Sequence, residues 1–221
     1  MSDFPEVNAQ PQPQRQRLRI TFGKLGSQKY IGHLDLAKTW ERILRRAEIG
    51  LTYSQGFNAR PKIQLGAALP LGITSEAELM DIWLEQPVPL EGMAERLMAV
   101  SPPGLPIYRI EEALVKSPAL PTLLASSVYR FTLRDHVDPN DLRQRADSLM
   151  AQPQIMRTRR DKPYDLRPLL IGIEVTSEGE FMVEMVQREQ AAGRPDELID
   201  ALGLNSADVA VHRLQIKLRE P

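Results

Sequence analysis

The chain has 221 residues, enough for one large or two small domains, and 42% of them are hydrophobic, which excludes an intrinsically disordered chain. Its 28 Lys and Arg nearly balance 29 Asp and Glu, so a uniformly cationic nucleic-acid coat is excluded, though a local basic patch is not. With no cysteine, the chain offers no thiolate for a disulfide, a zinc ribbon or an iron–sulfur cluster.

Residues 1–15 are rich in Gln, Pro and Asn and lack the basic start and apolar run of a secretory signal; they read as a disordered lead-in to a cytoplasmic protein. No stretch approaches the ~18 consecutive apolar residues of a membrane span. Arg17–Phe22 alternates, with Leu18, Ile20 and Phe22 on one side and Arg17, Arg19 and Thr21 on the other, which predicts a strand. A helix starts near His33 or Asp35 and ends by Gly50, its apolar stripe being Leu36, Trp40, Ile43, Leu44 and Ala47. Ile63, Leu65, Ala67 and Leu69 alternate as a second strand, Pro70–Ser75 form a connection, and Met80, Ile82 and Leu84 mark a third strand. Leu90, Met93, Ala94 and Leu97 have helical spacing, Pro102–Gly104 stop that helix, and Ile107–Ile110 supply a fourth strand.

Ser117–Ser127, with Pro118 and Pro121, reads as a linker, after which the order returns. Tyr129, Phe131 and Leu133 form a strand. Asp138 and Pro139 start a helix whose buried face is Leu142, Ala146 and Leu149. Strands over Leu169–Val175 and Phe181–Met185 flank a turn at Ser177–Glu180. A short helix follows from Pro195 with Leu198, Ile199 and Leu202 inside, and Leu214, Ile216 and Leu218 close the set. The predicted fold is α+β: two tandem ferredoxin-like (βαββαβ) halves with antiparallel sheets, 16–116 and 128–221, joined by the linker 117–127. The alternative is one larger domain whose two sheets have merged.

The near-zero net charge hides an asymmetry. Between Arg15 and Ala67, 11 Lys or Arg face only Asp35, Glu41 and Glu48, a net charge of +8. Lys38, Arg42, Arg45 and Arg46 share the helix face opposite the apolar stripe, and Arg19 points away from Leu18 and Ile20. Arg forks and Lys point charges suit phosphate oxygens, so these five residues are candidate phosphate contacts; a plain solvated helix face is the competing reading. In the loop after the helix, Tyr53, Ser54, Asn58, Arg60 and Lys62 gather polar groups at one sheet edge, with Gly56 free to take positive φ and Pro61 holding Arg60 extended. A second candidate binding loop, within Gln152–Pro168, carries Arg157, Arg159, Arg160 and Arg167, interrupted by Asp161 and Asp165. The open sheet face would carry Arg19, Lys62, Gln64 and Trp83, of which only Trp83 could stack a base, so an RNA-recognition-motif surface is not indicated. His33 is the one candidate general base near the basic block, though a helix N-terminal residue hydrogen-bonded to its own backbone is the preferred reading of it. His33 and Asp35 point to different helix faces and make no metal pair. No metal or cofactor is expected.

Three segments carry a family likeness: Gly32-His33-Leu34-Asp35 at the helix start, Ser54 to Lys62 (SQGFNARPK), and Leu69 to Glu76 (LPLGITSE). With the later Asp165-Leu166-Arg167-Pro168, they make the chain resemble the radical SAM-linked family of unknown function. Members of that family occur fused to, or encoded beside, a B12-binding radical SAM protein, and some lie near ribonuclease E/G and ribosomal-protein genes. The resemblance implies a radical SAM partner, while the lack of the three thiolates that hold its cluster implies that this chain does not cleave S-adenosylmethionine itself. The expected function is thus accessory and non-catalytic, binding tRNA, rRNA or a ribonucleoprotein through the basic block, without a membrane. Two alternatives stand beside it: a metal-independent RNA-processing or RNA-modifying enzyme, and a protein-interaction module only.

Overall fold

A computed structural model describes residues 15–55, 57–176, 179–188 and 191–219. The lead-in before Arg15, Gly56, and Ser177 and Glu178 of the predicted turn lie outside the described residues. The chain is α+β, with one large, mostly antiparallel sheet and few helices. The first half comprises β1 (Gln16–Lys24), α1 (His33–Arg46), β2 (Ile63–Leu65), β3 (Thr74–Leu84), α2 (Met93–Met98) and β4 (Ile107–Ala113). The second comprises α3 (Leu120–Leu123), β5 (Leu124–Leu133), α4 (Pro139–Met150), the hairpin β6 (Met156–Arg159) and β7 (Lys162–Asp165), then β8 (Leu170–Val175), β9 (Glu180–Arg188), β10 (Ala191–Ala192), α5 (Pro195–Ala201) and β11 (Val209–Leu218).

Nine strands form one sheet along the path β10-β9-β5-β11-β3-β1-β4, with β2 paired to β3 and β8 to β9. Instead of two separate sheets, one continuous sheet joins the halves through β11 and β3, the parallel pair, in register at His212↔Thr74 and Arg213↔Ser75. The reason is the shortness of β2. Alternation predicts a strand from Ile63 to Leu69, yet only Ile63–Leu65 pair, and they cover β3 at Met80–Ile82 alone. The first residues of β3 are left with an open edge, which β11 fills; the segment assigned to a connection, Thr74 and Ser75, becomes strand as a result.

The sheet carries two cores, the second of which also takes in Leu69 and Ile73 from the first half. Leu18, Ile20, Phe22, Met80, Ile82 and Leu84 face α1 and α2, and the Phe22 and Trp40 rings meet edge-on at 4.7 Å. In the second half, Phe131 and Phe181 stack at 4.6 Å under α4 and α5. The predicted linker is packed against the sheet, because α3 and the start of β5 lie inside it. Its upstream part straps the other face of β1: Arg17 donates to the Ser117 carbonyl at 2.7 Å and the Pro118 carbonyl at 2.9 Å, and the Leu120 N–H donates to Gln64 Oε1 at 2.8 Å.

Gly104 holds φ at +91°, and an added Cβ would lie 2.5 Å from the Leu25 carbonyl oxygen. Gly104→Ala is expected to cost on the order of 2 kcal/mol through strain and clash, lowering Tm by about 4–8 °C in a thermal melt. Gly172→Ala, where the new methyl meets nothing within 4 Å, should leave Tm nearly unchanged.

Candidate functional site

Helix α1 starts at Gly32, which supplies no side-chain cap; Asp35 lies in its first turn and Arg45 and Arg46 in its last, the polarity its dipole favours. Leu36, Trp40, Ile43 and Leu44 are buried, so Lys38, Arg42, Arg45 and Arg46 are driven to the exposed side. The Lys38 ammonium lies 3.5 Å from Asp35. Among the described residues, Arg42, Arg45 and Arg46 have no carboxylate partner.

Past α1 the chain turns back to run alongside the end of β3. The Glu85 N–H donates to the Gly50 carbonyl, Leu51 bridges Leu84, and the Thr52 N–H donates to the Trp83 carbonyl at 2.7 Å. Residues 50–52 therefore lie at the end of the sheet marked by Gln16 and Leu84, the 53–62 loop leaves from the edge of β3 that pairs with β2, and Arg42 and Arg46 border a groove with Ala99–Pro102 on the α2 side of α1. The loop is pinned at its base. The Ser54 N–H donates to the Arg60 carbonyl at 2.8 Å, the Arg60 N–H donates to Ser54 Oγ at 3.0 Å, and Tyr53 bridges Pro61. Asn58, Arg60 and Lys62 are exposed, Tyr53 is half-exposed, and Phe57 is fully exposed. A phenyl ring fully exposed in this loop is the feature the sequence reading missed; the F in SQGFN was the available signal.

Arg19 does not join this patch. It lies on the other face of β1, where its Nε and Nη2 donate to Asp81 at 2.8 and 2.9 Å, and the buried Arg17 binds the same carboxylate with Nε at 2.9 Å. Trp83 is buried between the Arg17 guanidinium at 4.7 Å and the Lys62 ammonium at 4.5 Å, so its ring is not available to a base.

The second arginine loop folds as the β6–β7 hairpin and uses most of its charge internally. Arg159 donates to Glu197 through Nε at 3.0 Å and Nη2 at 2.6 Å, while the Tyr164 hydroxyl donates to the same carboxylate. Burial raises the Glu197 pKa, but the bonds from Arg159 and Tyr164 outweigh it and hold the carboxyl below its usual range. Burial and the Glu197 bond push the Tyr164 hydroxyl up to about 12. Arg167 donates to the Met150 and Leu170 carbonyls, closing the end of α4, and Arg157 lies 3.6 Å from Asp200. Arg160 is exposed at the turn.

Between the halves lies a cavity of about 550 Å³. Its apolar wall includes Leu65, Leu69 and Leu124, and its polar lining includes His33, Arg159, Arg188 and Arg194. Beside it, Arg213 and Lys24 are buried with Glu78, to which Arg213 donates through Nε at 3.0 Å. Burial lowers the His33 pKa; Glu78 opposes this, while Arg213 and Lys24 add to it. His212 is elsewhere, its Nδ1 2.7 Å from Thr74 Oγ1. Among the described residues, no cluster of three His, Asp or Glu side chains could hold a metal ion.

Residues 17–195 match the model of a family described as an uncharacterized protein conserved in bacteria (DUF2344). Among solved structures, the chain is similar to a chain of the archaeal box H/ACA sRNP Nop10–Cbf5 complex, at 13% identity over 91% of this chain and 46% of that one, with a TM-score of 0.43. A chain of an H/ACA RNP bound to a substrate RNA containing 2'-deoxyuridine gives 14%, 89%, 46% and 0.44, and one of a Cbf5–Nop10–Gar1 complex gives 12%, 92%, 48% and 0.46. The chain spans about half the length of these solved chains. No curated protein matches the sequence.

Proposed function

We propose that this chain, which belongs to the family of uncharacterized proteins conserved in bacteria (DUF2344), is an RNA-binding accessory protein that works beside a radical SAM partner in the cytoplasm. The observation that carries the RNA reading is a set of exposed groups in the first half: Arg42, Arg45 and Arg46 of α1, which have no carboxylate partner among the described residues, and Arg60, Lys62, Tyr53 and Phe57 of the 53–62 loop. Cations that follow a backbone, next to aromatic faces that accept any base, are the means by which proteins hold unpaired strands. The radical SAM partner is supported by the resemblance alone. The strand orders β4-β1-β3-β2 and β11-β5-β9-β8, the same in both halves, support reading the fold as two fused ferredoxin-like units.

Fluorescence anisotropy with tRNA and single-stranded rRNA fragments tests the surface. Affinity should fall steeply as salt rises. Tyr53→Ala with Phe57→Ala should weaken single-stranded RNA by roughly 1–3 kcal/mol per base lost from a ring while leaving a blunt duplex nearly unaffected. Affinity insensitive to salt overturns the reading. A pull-down that retains the radical SAM protein after ribonuclease treatment supports the partner; loss of the partner on treatment reduces the association to shared RNA.

A further inference from the structure

We propose that the cavity between the two halves binds an organic phosphate of nucleotide size, its phosphate group seated at His33 and the N-terminus of α1. This goes beyond the RNA surface and uses different residues: the cavity meets the first turn of α1, whereas the patch lies at its last.

The argument starts from buried charge. Lys24 and Arg213 are both buried; the buried carboxylate of Glu78 accepts from Arg213 Nε at 3.0 Å and attracts Lys24 without a direct bond among the described residues. Burial pushes the Lys24 ammonium down, with Glu78 opposing and Arg213 adding to it. Buried cations are ordinarily paired, because an uncompensated one costs several kcal/mol of lost hydration. Among the described residues, Arg213 Nη1 has no hydrogen-bond partner although it is fully buried.

The cluster adjoins the cavity. Arg213 Nη2 donates to the carbonyl of Ala67, and its guanidinium lies 5.9 Å from the Tyr129 ring; Ala67 and Tyr129 both line the cavity. His33, also on the lining, is the first residue of a 14-residue helix whose preceding Gly32 gives no side-chain cap. Its first-turn N–H groups and positive dipole end suit a phosphate. Arg188 supplies a further donor on the second half's side, Arg194 adds a guanidinium already 3.0 Å from Asp196, and the leucines of the opposite wall suit an apolar or heteroaromatic body. A volume of about 550 Å³ lies within the usual range of small-molecule pockets, roughly 300–1,000 Å³, and far exceeds what a free phosphate needs.

The test uses the full chain, with uridine and adenosine 5′-monophosphates, the two uncharged nucleosides, inorganic phosphate and a short RNA trinucleotide as probes. Calorimetry measures affinity, and the histidine ¹⁵N resonances follow the titration of His33. Each monophosphate should bind at least about ten-fold tighter than its nucleoside. On binding, the pKa of His33 should rise, because an anion beside an imidazole favours the imidazolium. Arg188→Ala with Arg194→Ala should weaken monophosphate binding about five-fold or more, whereas alanines at Arg42, Arg45 and Arg46 should not change it. A trinucleotide that competes with the monophosphate supports a nucleotide unit in a strand; a monophosphate that binds without such competition supports a free nucleotide. Equal affinity for nucleoside and monophosphate, saturation by inorganic phosphate alone, or an unmoved His33 at millimolar ligand overturns the proposal. Failure here with intact salt-dependent RNA binding leaves the α1 surface standing, so the two proposals fail separately.

Discussion

Replacing Arg42, Arg45 and Arg46 together with alanine is expected to lower single-stranded RNA affinity about ten- to hundred-fold at low salt. It should also flatten the slope of log affinity against log salt by about two, since each lost phosphate contact on a single strand removes roughly 0.7. The three side chains are exposed and unpaired among the described residues, and alanine is a strong helix former, so the fold should be disturbed by no more than about 0.5 kcal/mol. A surface control is Arg145→Ala, which removes an exposed guanidinium already 2.8 Å from Asp141 and lies in the second half. Its affinity and slope should match the parent chain. An unchanged slope in the triple variant, or an equal loss in the control, removes α1 from the interface.

Some of this surface was legible in the sequence and some was not, for definable reasons. Helical spacing alone separated Leu36, Trp40, Ile43 and Leu44 from Lys38, Arg42, Arg45 and Arg46, because in an amphipathic helix burial of one face fixes the other. Alternation likewise put Leu18, Ile20 and Phe22 in the core. What spacing cannot supply is a partner 60 or more residues away. Arg17 and Arg19 read as free cations until β3 brings Asp81 opposite Arg19 in register. The β6–β7 hairpin was hidden because its two-residue turn places Arg160 at φ 50° and Asp161 at φ 61°, without the Asn-Gly or Gly-rich signal such turns usually carry.

The last strand shows a further limit. Leu214, Ile216 and Leu218 alternate and read as its buried side, yet they are only half-buried, while Val209, Val211 and Arg213 are buried. The pairing with β5 shifts between Arg213 and Gln215, and a one-residue slip exchanges the two faces of a strand. An arginine at the centre of the molecule, beside the cavity, is therefore invisible to any period-two count. His33 was visible as a residue, but its surroundings come from β3, β11 and the peeled-away segment after β2, which only the folded chain assembles.

Asp81→Asn is expected to be the most destabilising single polar change in the first half. The carboxylate accepts from Arg17 Nε and Nη2 and from Arg19 Nε and Nη2, and the Arg17 and Asp81 side chains are completely buried. Asparagine keeps the shape, removes the charge, and turns an N–H₂ group toward one of the guanidinium donors. Two cations would then face each other with no anion between them, a loss of about 3–5 kcal/mol when a buried pair is broken on one side. In a protein of this size that lowers Tm by roughly 6–20 °C. Because Arg17 also holds the Ser117 and Pro118 carbonyls, the strap over the sheet should loosen, and hydrogen exchange of the Gln64–Leu120 contact should speed up. Asp141→Asn, which breaks the half-exposed pair with Arg145, should cost less than about 1 kcal/mol. Adding Arg17→Met to Asp81→Asn removes the cation that has no way to reach water and should recover part of the lost stability. If the double variant melts below Asp81→Asn alone, uncompensated charge is not what the carboxylate prevents, and its role reduces to its hydrogen bonds.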